Sequence, residues 1–213
     1  MTLFDRFDRM RRGADVRRYH THRVDKQQTV GAHSWGVAVL CDLLWVAVTD
    51  SPTPYQLLVG ALHHDVAEYD SGDSPAWVKR RCPELKAALD GLEHEAELRL
   101  GLVVTTAFPT YTAFLKVADE LEFLWYCLDE RRGGNTEVDV MFARGVLGVH
   151  SRLAQLAPSY PVLAMVASTL VLAIRGAYVR LAPEWLATLT RVDRGEDYFS
   201  RVASGKLDEE GES

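Results

Sequence analysis

His64, Asp65 and Glu68 stand close together in a run that is otherwise apolar: Leu57, Leu58, Ala61, Leu62, Val66 and Ala67. Thr53-Pro54 reads as a cap with proline at the first helical position, opening a helix through about Tyr69. On that helix His64 and Glu68 lie one turn apart and Asp65 and Glu68 are i, i+3, so all three share one side. Ionisable groups are costly to bury there unless they pair with one another or hold a metal. A surface cluster with ordinary i, i+4 pairing is the competing reading. His33, at the start of the apolar run from Ala32 to Val48, and Asp119, set among Val117, Ala118, Leu121 and Leu124, shift the balance. Two His and two Asp on three helices form a plausible coordination set for one divalent cation. Mixed imidazole and carboxylate ligands suit Mn, Fe, Co, Ni or Zn better than Ca.

The elements that must position these residues follow from turn signals. Residues 2–12 place Leu3, Phe4, Phe7 and Met10 on one face and stop at Gly13. Arg17 to Gln28 is polar and irregular and reads as a loop. Ala32 to Val48, apolar on most sides, is expected to be a central helix. Ser71 to Pro75 is a turn, Pro83 to Leu100 an amphipathic helix closed by Gly101, and Thr112 to Arg131 a long helix closed by Gly133-Gly134. Two or three more helices follow, with Pro161 and Pro183 near their starts. Alternating β-branched runs are scarce, so the fold class is all-α with about eight to ten helices. The five tryptophans sit at helical spacing and read as core. His63 reads as a packing histidine, His20 and His22 as loop histidines or tuners of base choice. Glu122 is either a partner behind the ligands or an exposed, ion-paired acid.

Composition bounds the function class. The 213 residues, 47% hydrophobic and 25% charged, fit one soluble domain, expected over 1–205 with an acidic tail at 206–213. Three widely spaced cysteines (Cys41, Cys82, Cys127) give no disulfide framework and fit the cytoplasm. The N-terminus has no apolar signal-peptide core. Pro161 to Ile174, at 14 residues, is short for a bilayer span and fits a buried or subunit-interface helix. The net charge of −6 argues against a duplex-binding protein. Residues 1–26 nevertheless hold eight Arg or Lys against four Asp: a solvated face with ion pairs, or a rim for a small anion.

The order H…HD…D on helices resembles the HD-domain metal phosphohydrolases, an all-α helical bundle. The run from His64 through Glu68, Gly72-Asp73 and Pro75 to Lys79 is similar to the H-D-x-x-E-x-x-x-G-D-x-P…K run of bacterial HD-domain 5'-deoxynucleotidases. Arg18-Tyr19 before His33, and Ala118-Asp119, Cys127-Leu128 and Gly134-Asn135 after it, match the same family. The phage dATP triphosphohydrolases share this skeleton, and the likeness covers roughly Arg17 to Ala154. It implies that His33, His64, Asp65 and Asp119 bind a divalent transition metal (Co, Mn or Zn). It implies Glu68 as general acid/base, Arg18 and Lys79 on phosphate oxygens, Asp73 at the sugar and Tyr19 flanking base or sugar. Two positions depart from the family pattern: Ala32 stands where an acid is usual, and Tyr19 where Trp is frequent. The implied reaction is hydrolysis of a deoxynucleotide at the α-phosphorus, releasing phosphate or triphosphate. The implied assembly is a homo-oligomer, with no membrane and no stable nucleic-acid partner. A non-catalytic, nucleotide-binding regulatory protein is the alternative.

Overall fold

The computed structural model describes residues 1–102 and 108–194, without the side chains of Ala76, Trp77 and Arg80. These residues form nine α-helices and one short 3-10 helix: α1 (Leu3–Ala14), α2 (Val30–Thr49), α3 (Tyr55–His63), the 3-10 helix (Val66–Tyr69), α4 (Ala76–Arg81), α5 (Pro83–Leu100), α6 (Pro109–Arg132), α7 (Asp139–Leu156), α8 (Pro161–Leu181) and α9 (Trp185–Asp193). Among the described residues the extended pairing is the lone antiparallel bridge Arg17–Thr29, so the all-α expectation holds. The stretch 206–213, expected as a tail, lies outside the described residues.

The axis of the bundle is α6 rather than α2. It starts on Pro109, whose missing N–H costs nothing in a first turn, and buries Phe114, Val117, Leu121, Leu124 and Leu128. Each such side chain contributes on the order of 1.5–3 kcal/mol. Helices α2, α7 and α8 pack on α6, α3 packs on α2, and α9 on α7. Phe142 of α7 stacks on Tyr178 of α8 at 3.7 Å between centroids, with Trp185 tilted against both.

Helix α2 is apolar all round in sequence yet only half covered. It turns His33, Val37, Cys41 and Leu44 inward. Trp35, about 200° around the helix from His33, is 67% exposed. The core expectation therefore fails for Trp35 and for Trp125, which also faces outward, and holds for Trp185; the side chain of Trp77 lies outside the described residues. Leu3, Phe4 and Phe7 of α1 are likewise exposed. By length and composition alone, α2 and α8 could each cross a membrane. Here both pack on α6, which is how a core helix passes the same test.

The 17–28 segment is a loop with its ends tied. Arg18 N–H donates to the Gln28 carbonyl (2.9 Å) and Val30 N–H to that of Val16 (2.8 Å). Glu130, 1% exposed, receives the backbone N–H groups of Asp25 and Lys26 (both 2.7 Å) and Asn135 Nδ2 (2.8 Å). Tyr126 Oη donates to the Lys26 carbonyl at 2.9 Å. Glu130→Leu should therefore cost roughly 1–3 kcal/mol, because it strands buried donors. Urea unfolding measures this, and an unchanged midpoint would show that the loop is held without Glu130.

Candidate functional site

The expected unbroken helix to Tyr69 does not form. Helix α3 ends at His63, His64 closes it in helical geometry, and Asp65 leaves with φ −112°, ψ 3°. On a continuous helix, neighbours diverge by about 100° and do not face each other. The break is what lets His64 and Asp65 converge: Asp65 Oδ2 lies 3.4 Å from His64 Nε2 and 3.7 Å from His33 Nε2. The 3-10 helix then folds Glu68 inward, with its N–H on the Asp65 carbonyl (3.1 Å). Helix α1 closes on this turn through Gly13, where a Cβ would meet the Val66 carbonyl at 2.4 Å.

The two imidazoles are oriented from behind. His64 Nδ1 donates to the Ala61 carbonyl (2.7 Å), and His33 Nδ1 to Glu122 Oε2 (2.5 Å), which Gln28 Nε2 steadies through Oε1 (2.7 Å). Glu122 is thus the buried partner, not an exposed acid. With Nδ1 protonated, each neutral ring presents an Nε2 lone pair. Those nitrogens are 3.3 Å apart, and Asp119 Oδ1 is 3.1 Å from His33 Nε2. Acceptors crowded on one point repel unless a cation or a proton sits among them. A metal fits this donor set, and the outer hydrogen bonds on both rings are the usual support of ligating histidines. The donor atoms of His33, His64 and Asp119 lie within 4.8 Å of one another. The fourth expected ligand, Asp65, stands beside them with Oδ2 also on Arg18 Nη1 (2.5 Å).

Without a metal, a proton takes its place. Burial disfavours the charged His33 ring, but hydrogen bonds to Asp119 and Glu122 prevail and raise it to about 9. Burial likewise works against the Asp119 charge, and the His33 hydrogen bond overcomes it and lowers its pKa. Asp65 is lowered, as His64 and Arg18 outweigh its burial. Glu68 moves the other way: burial first, then the charges of Asp65 and Asp73, push it up to about 8. Its Oε2 is buried with no hydrogen-bond partner.

This centre floors a cleft of about 510 Å³ whose walls include Arg18, Tyr19, Asp73, Lys79 and Lys116. Tyr19 has φ +57°, a left-handed conformation held by its N–H on Asp73 Oδ2 (3.2 Å) and by stacking on Tyr126 (4.7 Å). Gly72, at φ +72°, makes the turn that returns Asp73 to this position. Lys79 Nζ reaches the cleft while paired with Glu93 (3.4 Å). Every expected site residue thus gathers here. Of the basic N-terminal residues, Arg18 lines the cleft, whereas Arg6, Arg9 and Arg12 bond to Gly101, Tyr69 and Asp8. Arg81 is exposed and does not line the cleft; the side chain of Arg80 lies outside the described residues. Neither Glu130 nor Arg144 is among the residues singled out from the sequence. Asp119, Glu122, Tyr126 and Glu130 recur at three- or four-residue steps as a polar stripe on a buried helix, and that signal could have marked Glu130.

A family model described as 5'-deoxynucleotidase YfbR-like matches residues 4–160. The chain belongs to the YfbR-like 5'-deoxynucleotidase family. The 5'-deoxynucleotidase of Shewanella oneidensis is 36% identical over 91 residues, 36% of this chain; the chain spans 47% of that protein. That of Vibrio cholerae is 27% identical over 140 residues, 57% of this chain and 72% of its own. The dATP triphosphohydrolase of Cyanophage S-2L is 28% identical over 124 residues, 57% and 69%. The solved HD phosphohydrolase DatZ of that phage, bound to dA and one catalytic Zn2+ ion, aligns with a TM-score of 0.50 at 20% identity, over 80% of this chain and 96% of its own. That likeness shows the HD-type helical fold.

Proposed function

We propose that this family member hydrolyses 2'-deoxynucleotides at the α-phosphorus, releasing the deoxynucleoside with phosphate or triphosphate. One observation carries the reading: the His33 and His64 imidazoles converge with Asp119, which lines the cleft along with Asp65, beside a buried Glu68 Oε2 that has no hydrogen-bond partner. A divalent metal held by His33, His64 and Asp119, with Asp65 beside them, would polarise a phosphate oxygen and make water a better nucleophile. Zinc is the first ion to try, with cobalt and manganese next. Glu68 takes the proton from the attacking water as its oxygen bonds to phosphorus, and returns it to O5' as the P–O5' bond breaks. Arg18, anchored on Asp65, offers its remaining N–H groups to the phosphate, and Lys79 adds a point charge. Asp73 accepts from the 3'-hydroxyl, and the Tyr19 ring closes the space where a 2'-hydroxyl would stand. A homo-oligomer fits the apolar Met165 and Leu172 that α8 leaves exposed, and a cytoplasmic setting fits the free cysteines.

Of the two substrates, the triphosphate is supported by the similarity to a dATP triphosphohydrolase and by Lys116 at the cleft wall, the monophosphate by the similarity to 5'-deoxynucleotidases. Product profiles from dNMPs, dNTPs and their ribo counterparts with added Zn, Co or Mn decide the matter. Phosphate or triphosphate is expected, with deoxy substrates favoured by about 10²-fold, the usual scale for rejecting one added hydroxyl by shape. Equal rates on ribo- and deoxynucleotides would refute the sugar argument. No release from any nucleotide under any of the metals would refute the reading itself and favour a regulatory protein.

A further inference from the structure

Past the metal end, the cleft runs on to α7, where Val140, Arg144, Gly145 and Gly148 line it together with His22 and Phe123. None of the roles above uses this end. Hydrogen bonds join the two parts of the cleft. Asp73 Oδ2 accepts the Tyr19 N–H (3.2 Å), and the Tyr19 carbonyl accepts the His22 N–H (2.9 Å), while the Tyr19 ring lies 5.9 Å from Phe123. Asp73 is thus tied to the turn that carries His22, which lines this end together with Arg144. A nucleotide with its phosphorus beside Asp65 and Asp119 and its sugar at Asp73 would present its base to that pair.

The α7 wall suits a flat ring. A Cβ on Gly148 would meet nothing within 4 Å, so the helix backbone there lies bare. A Cβ on Gly145 would come within 2.5 Å of the Phe123 ring, so this glycine lets Phe123 lie against α7 as an apolar wall. Above that wall Arg144 supplies the polar contact.

We propose that Arg144, which lines the α7 end of the cleft together with His22, reads the base and favours guanine over adenine deoxynucleotides. The inference rests on the nucleotide-hydrolase reading and deepens it. A guanidinium offers donors only, in a planar fork. Guanine presents two adjacent acceptors, O6 and N7, whereas adenine pairs its N7 with an amino donor that leaves one arm of the fork opposed. Burial, and then the nearby Arg144 charge, hold His22 below its ordinary pKa. It therefore stays neutral near pH 7 and adds a hydrogen bond without a second positive charge.

The test compares kcat/KM for dGMP against dAMP and dGTP against dATP. Calorimetric titration with deoxyguanosine and deoxyadenosine adds a readout independent of turnover. Both are repeated in Arg144→Met and Arg144→Lys, with circular dichroism to confirm folding. The expected wild-type preference for guanine is about 10-fold or more in rate and binding, the range of one bidentate arginine contact. It should vanish in Arg144→Met and be partly kept in Arg144→Lys, which also serves if the Met variant does not fold. A flat or adenine-favouring wild-type profile, or a guanine preference that survives in Arg144→Met, overturns the proposal. So does a loss confined to triphosphates whatever the base, which would make Arg144 a polyphosphate contact. Hydrolysis with a flat base profile defeats only this inference, whereas no hydrolysis and no nucleoside binding defeats the reading beneath it.

Discussion

Glu68→Gln is expected to lower kcat by about 10²–10⁴-fold, the usual contribution of a positioned acid–base group, with metal content and substrate KM little changed. The amide keeps the volume and the buried position but can neither take nor return a proton. Glu68 is suited to that work because its surroundings hold it between two states. Burial opposes its charge, and the nearby Asp65 and Asp73 carboxylates add to that, so it titrates at about 8 in the metal-free protein. A cation at the neighbouring histidines would draw this value down toward neutrality, the range in which one carboxyl serves both as base toward water and as acid toward O5'. Its Oε2 has no protein partner, which leaves that atom free to meet a reactant. Single-turnover rates at saturating metal and nucleotide decide the point. A rate within about threefold of wild type would remove Glu68 from the chemistry.

Loss of the metal is expected to be as severe. Chelation should reduce turnover to background and added metal restore it, and Asp119→Ala should fail to recover at metal levels that saturate the wild type. The reason lies in His33, whose Nε2 faces both Asp119 and His64. A metal must displace the proton that His33 retains up to about pH 9. Apparent affinity should therefore rise by about tenfold per pH unit from 7 toward 9, one proton being released per ion bound, and level off above that. Melting curves report binding without any assay of turnover: metal at a hundredfold excess over Kd adds about 2.7 kcal/mol of stability. An Asp119→Ala protein with an undiminished metal-induced shift would exclude Asp119 from the centre. A flat pH dependence would show that His33 gives up no proton.

Much of this protein was legible in its residues. Pro54, Pro83 and Pro161 stand at the starts of α3, α5 and α8, because a ring-locked φ acts on its own segment whatever packs nearby, and α2 and α6 begin within three residues of where the apolar pattern places them. The ligand-type residues His33, His64, Asp65 and Asp119, and the acid Glu68, stood out because each interrupts an apolar run, and burying such groups demands a purpose. Their convergence was not legible. Spacing along one helix reports neighbours at i+3 and i+4 and no others. The break after His63 that turns Asp65 onto both imidazoles arises where α1 and α3 meet the 3-10 helix. Packing between helices also decided that Glu122 stands behind His33, that Glu130 ties down the loop carrying Arg18, and that Trp35 faces outward from an apolar helix. Arg144 shows the division most plainly: nothing near it in the chain marks it, and it belongs to the cleft only because α7 lies against α6. The amino-acid sequence by itself determined which groups are available and which segments are helical, since both are local properties. The tertiary structure alone decided which of those groups meet, since that depends on the angles at which helices distant in sequence pack together.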